Sequence, residues 1–368
     1  MPDAFWLYFP DYFFAAVYFI FGAMIGSFLN VCIHRMPLEQ SLSHPPSHCP
    51  HCDYSIPWYL NIPILAWIKL QGRCANCQAP ISLRYPAIEL LTGLAFLACW
   101  LAFRPDALMA AILCLVMAGF ITATFIDIDH QIIPDEITLG GMVAGVACSL
   151  IAPQLHGTES RLDALLTSLI GLGVGFGAVW AIVLLGKLFL GIQVFDVEEG
   201  EQLVFTDEAL IFSDGEMPYE DIFYRKSDTI RFHASRVELI DRCYIDTDVS
   251  LTMDKLTIGN ASFDPEAVSQ MVVDTREITI PREAMGFGDV KFMGAIGAFL
   301  GWQATVFTLA SSALFGSVIG VGAMFIKKDS AAARLPYGPF IALGATVWIF
   351  GGDRLWDAWL KLAMPVSP

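Results

Sequence analysis

Residues 107–126 read ALMAAILCLVMAGFITATFI, and the next four are Asp127-Ile128-Asp129-His130. The run holds no charged residue, and it matches the roughly 20 residues a helix needs to cross a hydrocarbon core of ~30 Å. An acid at the end of such a run is expensive, and ionisable groups in apolar surroundings are usually functional. A second acid closes Gly286-Phe287-Gly288-Asp289, at the head of another apolar stretch. Two carboxylates brought together share one proton and activate a water, which is the chemistry of an aspartyl protease.

The rest of the chain supports a membrane setting. Of its 368 residues, 55% are hydrophobic and 16% charged, with a mean hydropathy of +0.58. A soluble domain carries about 25% charged residues. The pattern predicts an α-helical polytopic membrane protein with about eight transmembrane helices. The expected spans are 12–33, 87–104, 107–126, 136–153, 164–193, 289–302, 304–326 and 336–352. The first is not read as a cleaved signal peptide, because Asp3 and Asp11 stand where a basic region belongs and no small-residue cleavage site follows.

Basic residues in short loops favour the cytoplasmic side. Arg35, Lys69, Arg73 and Arg84 follow the first span, and Lys327, Lys328 and Arg334 lie between the seventh and eighth. An inner-membrane protein with both termini outside is expected, and its catalytic side faces the cytoplasm. Five domains are expected. Residues 1–33 hold the first helix, 34–86 a cytoplasmic zinc-binding segment, and 87–193 helices two to five. An acidic β-rich cytoplasmic insert occupies 194–283, and helices six to eight occupy 284–368.

The nine cysteines divide by setting. Cys32, Cys99, Cys114 and Cys148 lie in apolar runs and read as small core residues, while Cys243 stands alone in the polar insert. Cys49-Pro50-His51-Cys52 and Cys74-Ala75-Asn76-Cys77 are different, because two Cys-x-x-Cys turns supply four thiolates for a closed structural zinc site. The alternative is a pair of disulfides, which a cytoplasmic placement disfavours. The short apolar stretch between the pairs cannot build a core alone, so metal cross-linking is physically reasonable. His48 and His51 read as solvated.

In order along the chain come Gly26-Ser27-Phe28-Leu29-Asn30, Arg35-Met36-Pro37, the two cysteine pairs, Ile81-Ser82-Leu83-Arg84-Tyr85-Pro86 and Glu89-Leu90. Asp127 through Asp135, Gly286-Phe287-Gly288-Asp289-Val290-Lys291 and Pro336-Tyr337-Gly338-Pro339-Phe340 follow. Taken together, over about 1–193 and 284–368, they resemble the bacterial type IV prepilin leader peptidases, aspartyl proteases of the Gly-x-Gly-Asp type. The resemblance implies cleavage of the basic leader from prepilins or pseudopilins. It also implies, for many members, methylation of the new N-terminus with S-adenosylmethionine. It places the catalytic pair at Asp127 and Asp289. Asp127 and Asp129 are only two positions apart, and the residues alone do not separate them.

Read from the residues, one carboxylate of the pair serves as general base for water while its protonated partner polarises the scissile carbonyl. Gly286 and Gly288 leave room for an extended backbone beside Asp289. Asp129 is read as a supporting acid, Asp135 as a helix N-cap, and Lys291 as a basic side chain snorkelling to the interface. Expected partners are pilin-type substrates, membrane lipid and pilus or secretion assembly proteins, with no nucleic acid. A related Gly-x-Gly-Asp protease acting on other membrane peptides is a second reading. A proton-coupled transporter is a third, though no internal repeat supports it.

The region 194–283 departs from the apolar pattern. It holds 21 acidic against 8 basic residues, most of the net charge of −16. Strands are expected at Gln202–Phe205, Ala209–Phe212, Asp221–Tyr224, Thr229–Phe232 and Arg236–Ile240. Ser213-Asp214-Gly215 and Ile258-Gly259-Asn260 are the expected turns. A small sandwich or partly open barrel is the implied fold.

Overall fold

The structure, a computed structural model, describes residues 11–190, 192–197, 202–207, 209–212, 215–219, 222–223, 228–281, 286–326 and 336–363. Asp3, Lys327, Lys328, Arg334 and the Ser213-Asp214 turn lie outside these residues. The chain forms two compact units, Met1–Val179 with Phe287–Pro368, and Trp180–Gly286.

The apolar runs of the first unit are helical, which is how a chain satisfies its own backbone where no water is available. They are α1 (Asp11–Arg35), α3 (Arg84–Phe103), α4 (Ala107–His130), α5 (Asp135–Ile151), α6 (Arg161–Leu190, which runs on into the second unit), α7 (Phe287–Ile326) and α8 (Gly338–Val347). A short α2 (Leu65–Lys69) lies in the cysteine-bearing segment. Among the described residues, five helices are long and apolar enough to cross a membrane, those containing Tyr12–Arg35, Arg84–Phe103, Ala107–His130, Arg161–Gly186 and Phe287–Gly322.

The sixth and seventh expected spans form the single element α7, broken at Gly301, where φ 82 and ψ 174 leave the helical region. Only glycine adopts that backbone without strain. The eighth expected span forms α8 and the turn Trp348–Gly352, where Gly351, with φ 150 and ψ 13, leaves the helical region. The helix α9 (Asp353–Ala363) follows, its Trp356 packing edge-on against Trp302 and Trp348 at 6.3 Å.

Close helix approach depends on small residues. Gly22 and Gly26 of α1 lie against Thr92, Gly93 and Glu89 of α3, where an added Cβ would come within 2.7–2.9 Å of the neighbouring atoms. Gly171 and Gly175 of α6 sit against the carbonyl oxygens of Gly297 and Met293, and Ser168 donates to the Ala298 carbonyl at 2.7 Å.

The second unit is one ten-stranded sheet with the order β4-β3-β2-β9-β5-β6-β7-β8, while β10 pairs with both β1 and β5. Its strands are β1 (Ile192–Asp196), β2 (Leu203–Thr206), β3 (Ala209–Phe212), β4 (Gly215–Pro218), β5 (Ile230–Leu239), β6 (Cys243–Thr252), β7 (Lys255–Ile258), β8 (Ala261–Phe263), β9 (Gln270–Thr275) and β10 (Glu277–Pro281). Leu203, Phe205, Leu210, Ile230, Phe232, Val237, Val249, Leu251, Met271 and Val273 belong to its core.

Two expected strands, around 229–232 and 236–240, merge into β5. A bulge between Ala234 and Arg236 leaves Ser235 and Arg236 both outward and returns Val237 to the core. Of the strand expected at Asp221–Tyr224, the described residues Ile222 and Phe223 are not extended in a sheet. Ile222 and Phe223 lie in a turn after Tyr219 and reach the core from there, while Asp221 and Tyr224 lie outside the described residues. Gly259 does make the expected turn, with φ 56.

Gly171→Val should destabilise the helical unit, because its side chain would meet the Gly297 carbonyl, and overpacking typically costs about 1–3 kcal/mol. Gly173→Val, where nothing lies within 4 Å, should be neutral. Thermal melting of the two purified variants in one detergent tests the contrast.

Candidate active site and metal centre

Asp127 lies in the last turn of α4, Asp289 in the first turn of α7, and they are 6% and 9% exposed. Asp127 accepts a hydrogen bond through Oδ2 from the backbone N–H of Gly338 at 2.8 Å. Gly338 opens α8, so one of the free amides of a helix start, at the positive end of its dipole, is aimed at this carboxylate. Asp289 stands at the positive end of its own helix. Charge on Asp289 acts on Tyr337, the residue before Gly338, whose hydroxyl bonds Ser312 at 2.9 Å. Ile133, 7% exposed, lies beside both turns. A Cβ at Gly288 would be 3.4 Å from it and a Cβ at Gly338 3.2 Å. Both acids therefore lie on turns that pack against Ile133, next to the Tyr337-Gly338 turn.

The neighbouring charges are paired. Arg84 at the start of α3 bonds Asp129 at 2.6 Å, reaches the Phe125 carbonyl at 3.4 Å, and lies over the Phe125 ring. Asp135 and Lys291 form an ion pair, with Lys291 5.3 Å from the Phe287 ring centroid. Two expectations change here. Pro134, not Asp135, is the N-cap of α5, and Lys291 reaches across to Asp135 instead of snorkelling away.

These contacts join the ends of α3, α4, α5, α7 and α8 at one face. The same face receives the cysteine segment. Asn30 of α1 donates to the Tyr85 carbonyl at 3.2 Å, and buried Glu89 accepts the Ile64 N–H at 2.6 Å. Ile64 is the centre of a γ-turn, with φ 62, ψ −52 and a Leu65 N–H to Pro63 carbonyl bond of 2.6 Å. That conformation is strained for a β-branched residue, and the Glu89 carboxylate holds it.

Cys49, Cys52, Cys74 and Cys77 place their sulfurs within 4.8 Å of one another, and all four are free thiols. The Cys49–Cys77 and Cys52–Cys74 separations are 3.7 and 4.0 Å. Tetrahedral zinc with bonds of ~2.3 Å would hold sulfurs about 3.8 Å apart, so the cluster fits a four-thiolate metal site. Both knuckles have one design. The Cys49 N–H bonds Tyr54 O and the Cys74 N–H bonds Ala79 O, with Asp53 and Gln78 at φ 53 and 61 in equivalent positions. Hydrogen bonds from the backbone at Cys77 and Asn76 bring the Cys74 thiol down to about 6, which favours the metal-binding thiolate. His48 and His51 are exposed and outside the cluster.

Sequence reasoning had assigned no role to Asn30, Arg84 or Glu89, and none to the Gly338 amide. The signal for the last was present in Pro336-Tyr337-Gly338-Pro339, since a glycine before a proline marks a backbone position with little room. A Cβ there would come 2.8 Å from Asp127 Oδ2.

Two family models match stretches of the chain. The bacterial peptidase A24 N-terminal domain matches residues 20–103, and the type IV leader peptidase family matches 114–195 and 243–321. A prepilin leader peptidase/N-methyltransferase of Aeromonas hydrophila is 28% identical over 95% of this chain and 93% of its own length. One from Myxococcus xanthus is 44% identical over 45% of this chain and 48% of its own. A type 4 prepilin-like proteins leader peptide-processing enzyme of Escherichia coli is 40% identical over 50% of this chain and 72% of its own. No solved structure matches. Together these define a membrane peptidase of the A24 class. The chain belongs to the type IV leader peptidase family.

Gly338→Ala should displace Asp127 and lower activity at least about 10-fold, corresponding to ~1.4 kcal/mol in the transition state. Gly322→Ala, with open space around it, should have no effect. Initial rates on a prepilin substrate distinguish the two.

Proposed function

We propose that this chain is a multi-pass inner-membrane aspartic endopeptidase that removes the basic leader from type IV prepilins or pseudopilins and methylates the exposed N-terminus. The observation that carries the reading is the pair of buried acids, Asp127 and Asp289, on turns that pack against Ile133. One carboxylate takes a proton from water, and the resulting hydroxide attacks the scissile carbonyl. The protonated partner donates its proton to the carbonyl oxygen. As the C–N bond breaks, the first carboxylate passes the proton it took from water to the leaving nitrogen, and the partner recovers one from a hydroxyl of the gem-diol. Gly286 and Gly288 admit the extended substrate backbone, Arg84 holds Asp129 beside the site, and Lys291 holds Asp135.

Eight crossings account for the helices: α1, α3, α4, α5, α6, the two parts of α7, and α8. The positive charges Arg35, Lys69, Arg73 and Arg84 support a cytoplasmic catalytic side. The five-part division drawn from the sequence follows from this topology. The peptidase and methyltransferase names of the relatives support both activities, with S-adenosylmethionine as methyl donor.

Zinc at Cys49, Cys52, Cys74 and Cys77 is structural. It cross-links a segment whose Trp58, Leu65 and Ile68 are 81%, 65% and 59% exposed and so supply little core. The acidic β unit is an accessory domain, and its charge suits docking of basic leaders or of assembly proteins.

Purified protein incubated with a prepilin in detergent should release the leader. Asp127→Asn and Asp289→Asn should each abolish cleavage, whereas Asp129→Asn should retain measurable cleavage. Survival of cleavage in either dyad variant overturns the assignment.

Elemental analysis should find about one zinc per chain. Chelation or Cys74→Ser should remove it and open residues 34–86 to protease, and a metal-free protein with unchanged proteolysis would contradict the structural role.

A further inference from the structure

Residues 54–68, between the two cysteine pairs, hold no charged side chain, although they lie outside the long helices. A soluble surface carries about a quarter charged residues. Along this stretch Trp58, Tyr59, Ile62, Leu65 and Ile68 are all exposed, on the single helical turn Trp58–Leu60 and on α2. Of α2 only Ala66 is buried. Large exposed apolar patches mark a surface that is covered when the protein works. Charge returns immediately afterwards, with Lys69 and Arg73, both exposed.

The tethers of this stretch give its level along the helices. Glu89 lies one and a half turns inside α3, roughly 7–8 Å from its start at 1.5 Å per residue. Helical side chains lean towards the N-terminus of their helix, and the Glu89 carboxylate accepts the Ile64 N–H at 2.6 Å. Ile64 is therefore level with the first turn of α3. The same carboxylate takes a hydrogen bond from Ser27, which lies roughly 12 Å before the end of α1. In that first turn Tyr85 receives the Asn30 bond, and Arg84 pairs with Asp129 at the end of α4. This is the level at which charge first appears along the spans Arg84–Phe103 and Ala107–His130. The exposed apolar residues around Ile64 stand at that level, beside the helices and not above them.

We propose that residues 58–68 are an interfacial wedge whose partner is the lipid surface, with Trp58, Tyr59, Ile62, Leu65 and Ile68 entering the boundary between headgroups and acyl chains. Trp and Tyr favour that boundary, and aliphatic side chains gain there by leaving water. Lys69 and Arg73 suit anionic headgroups on the aqueous side. A lipid partner is favoured over a second protein because the patch continues the charge-free level of the neighbouring spans and is edged by cations. The inference is independent of the endopeptidase reading and rests only on the membrane spans.

The test uses the full-length chain in vesicles of phosphatidylethanolamine and phosphatidylglycerol, with the photoreactive residue p-benzoylphenylalanine in place of Trp58, Leu65 or Ile68. Leu314, exposed on α7, is the positive control, and Asn76, exposed in the second cysteine knuckle, is the negative one. Mass analysis after illumination should find phospholipid adducts at positions 58, 65, 68 and 314, and none above background at 76. In a second measurement, the Trp58 fluorescence is read as the difference between wild type and Trp58→Phe. Acyl chains brominated near the headgroup should quench it more strongly than chains brominated near their ends. Cross-links to a second copy of the chain at 58, 65 and 68, or no lipid adduct there while Leu314 gives one, overturn the wedge. Absence of quenching, or stronger quenching from the chain ends, overturns the interfacial depth. A chain without lipid adducts at Leu314 defeats the membrane spans on which the inference rests.

Discussion

The hydrogen bond from the Gly338 amide to Asp127 ties the end of one apolar helix to the beginning of another, and the membrane unit is arranged around it. In apolar surroundings a chain can stop being helical only where its unpaired backbone groups find partners. Here the start of α8 lends an amide to a carboxylate that would otherwise be buried without one. The surrounding charges are kept in separate pairs, Arg84 with Asp129 and Lys291 with Asp135. These pairs fix the helix ends around Asp127.

That geometry needs helices that approach closely. Where Gly171 and Gly175 meet the carbonyls of Gly297 and Met293, no side chain separates α6 from α7. The same part of α7 ends at Gly301, where the backbone turns and Thr305 covers the Gly301 carbonyl at 3.0 Å. The polar β unit is joined by chain segments that are themselves paired. β1 follows α6, β10 precedes the Gly286–Asp289 turn, and the two align from Ile192↔Pro281 to Asp196↔Glu277. The insertion thus leaves and rejoins the helical chain through one antiparallel ribbon.

Much of this was legible in the sequence because its signals are strong. A charge-free run such as 107–126 has one stable backbone state in lipid, and two Cys-x-x-Cys turns at this spacing match a four-thiolate metal site. The acids were visible for the same reason, as costly groups in the wrong solvent. Hydropathy marks 289–302 and 304–326 as two spans, and the structure makes them one element broken at Gly301. The β unit was read less well. Bulges and long-range pairing decide strand limits there, so β5 runs through the point where alternation fails at Ser235, and Ile222-Phe223 fill the core from a turn. Lys291 and Asp135 were misread because their pairing spans 156 residues.

The cysteine segment shows how a structure without its own core is held in place. Its apolar side chains stay exposed, with Trp58 at 81%, Tyr59 at 52% and Ile68 at 59%, so burial within the segment contributes little. Fixed points replace a core. Arg35 binds the Ser41 and Pro45 carbonyls at 2.9 and 2.8 Å, Trp67 binds the Ile81 carbonyl at 3.1 Å, and the four thiols gather the two knuckles. Glu89 adds the tether to α3 through Ile64, and it also takes a hydrogen bond from Ser27 of α1. Each tether ends on the face where the helices that carry Asp127 and Asp289 begin or end. Trp and Tyr favour the boundary between hydrocarbon and water, and the exposed Trp58 and Tyr59 suit a segment lying along that boundary. The cysteine knuckles and the buried carboxylate thus act together: one sets the shape of the segment, and the other ties it to α3.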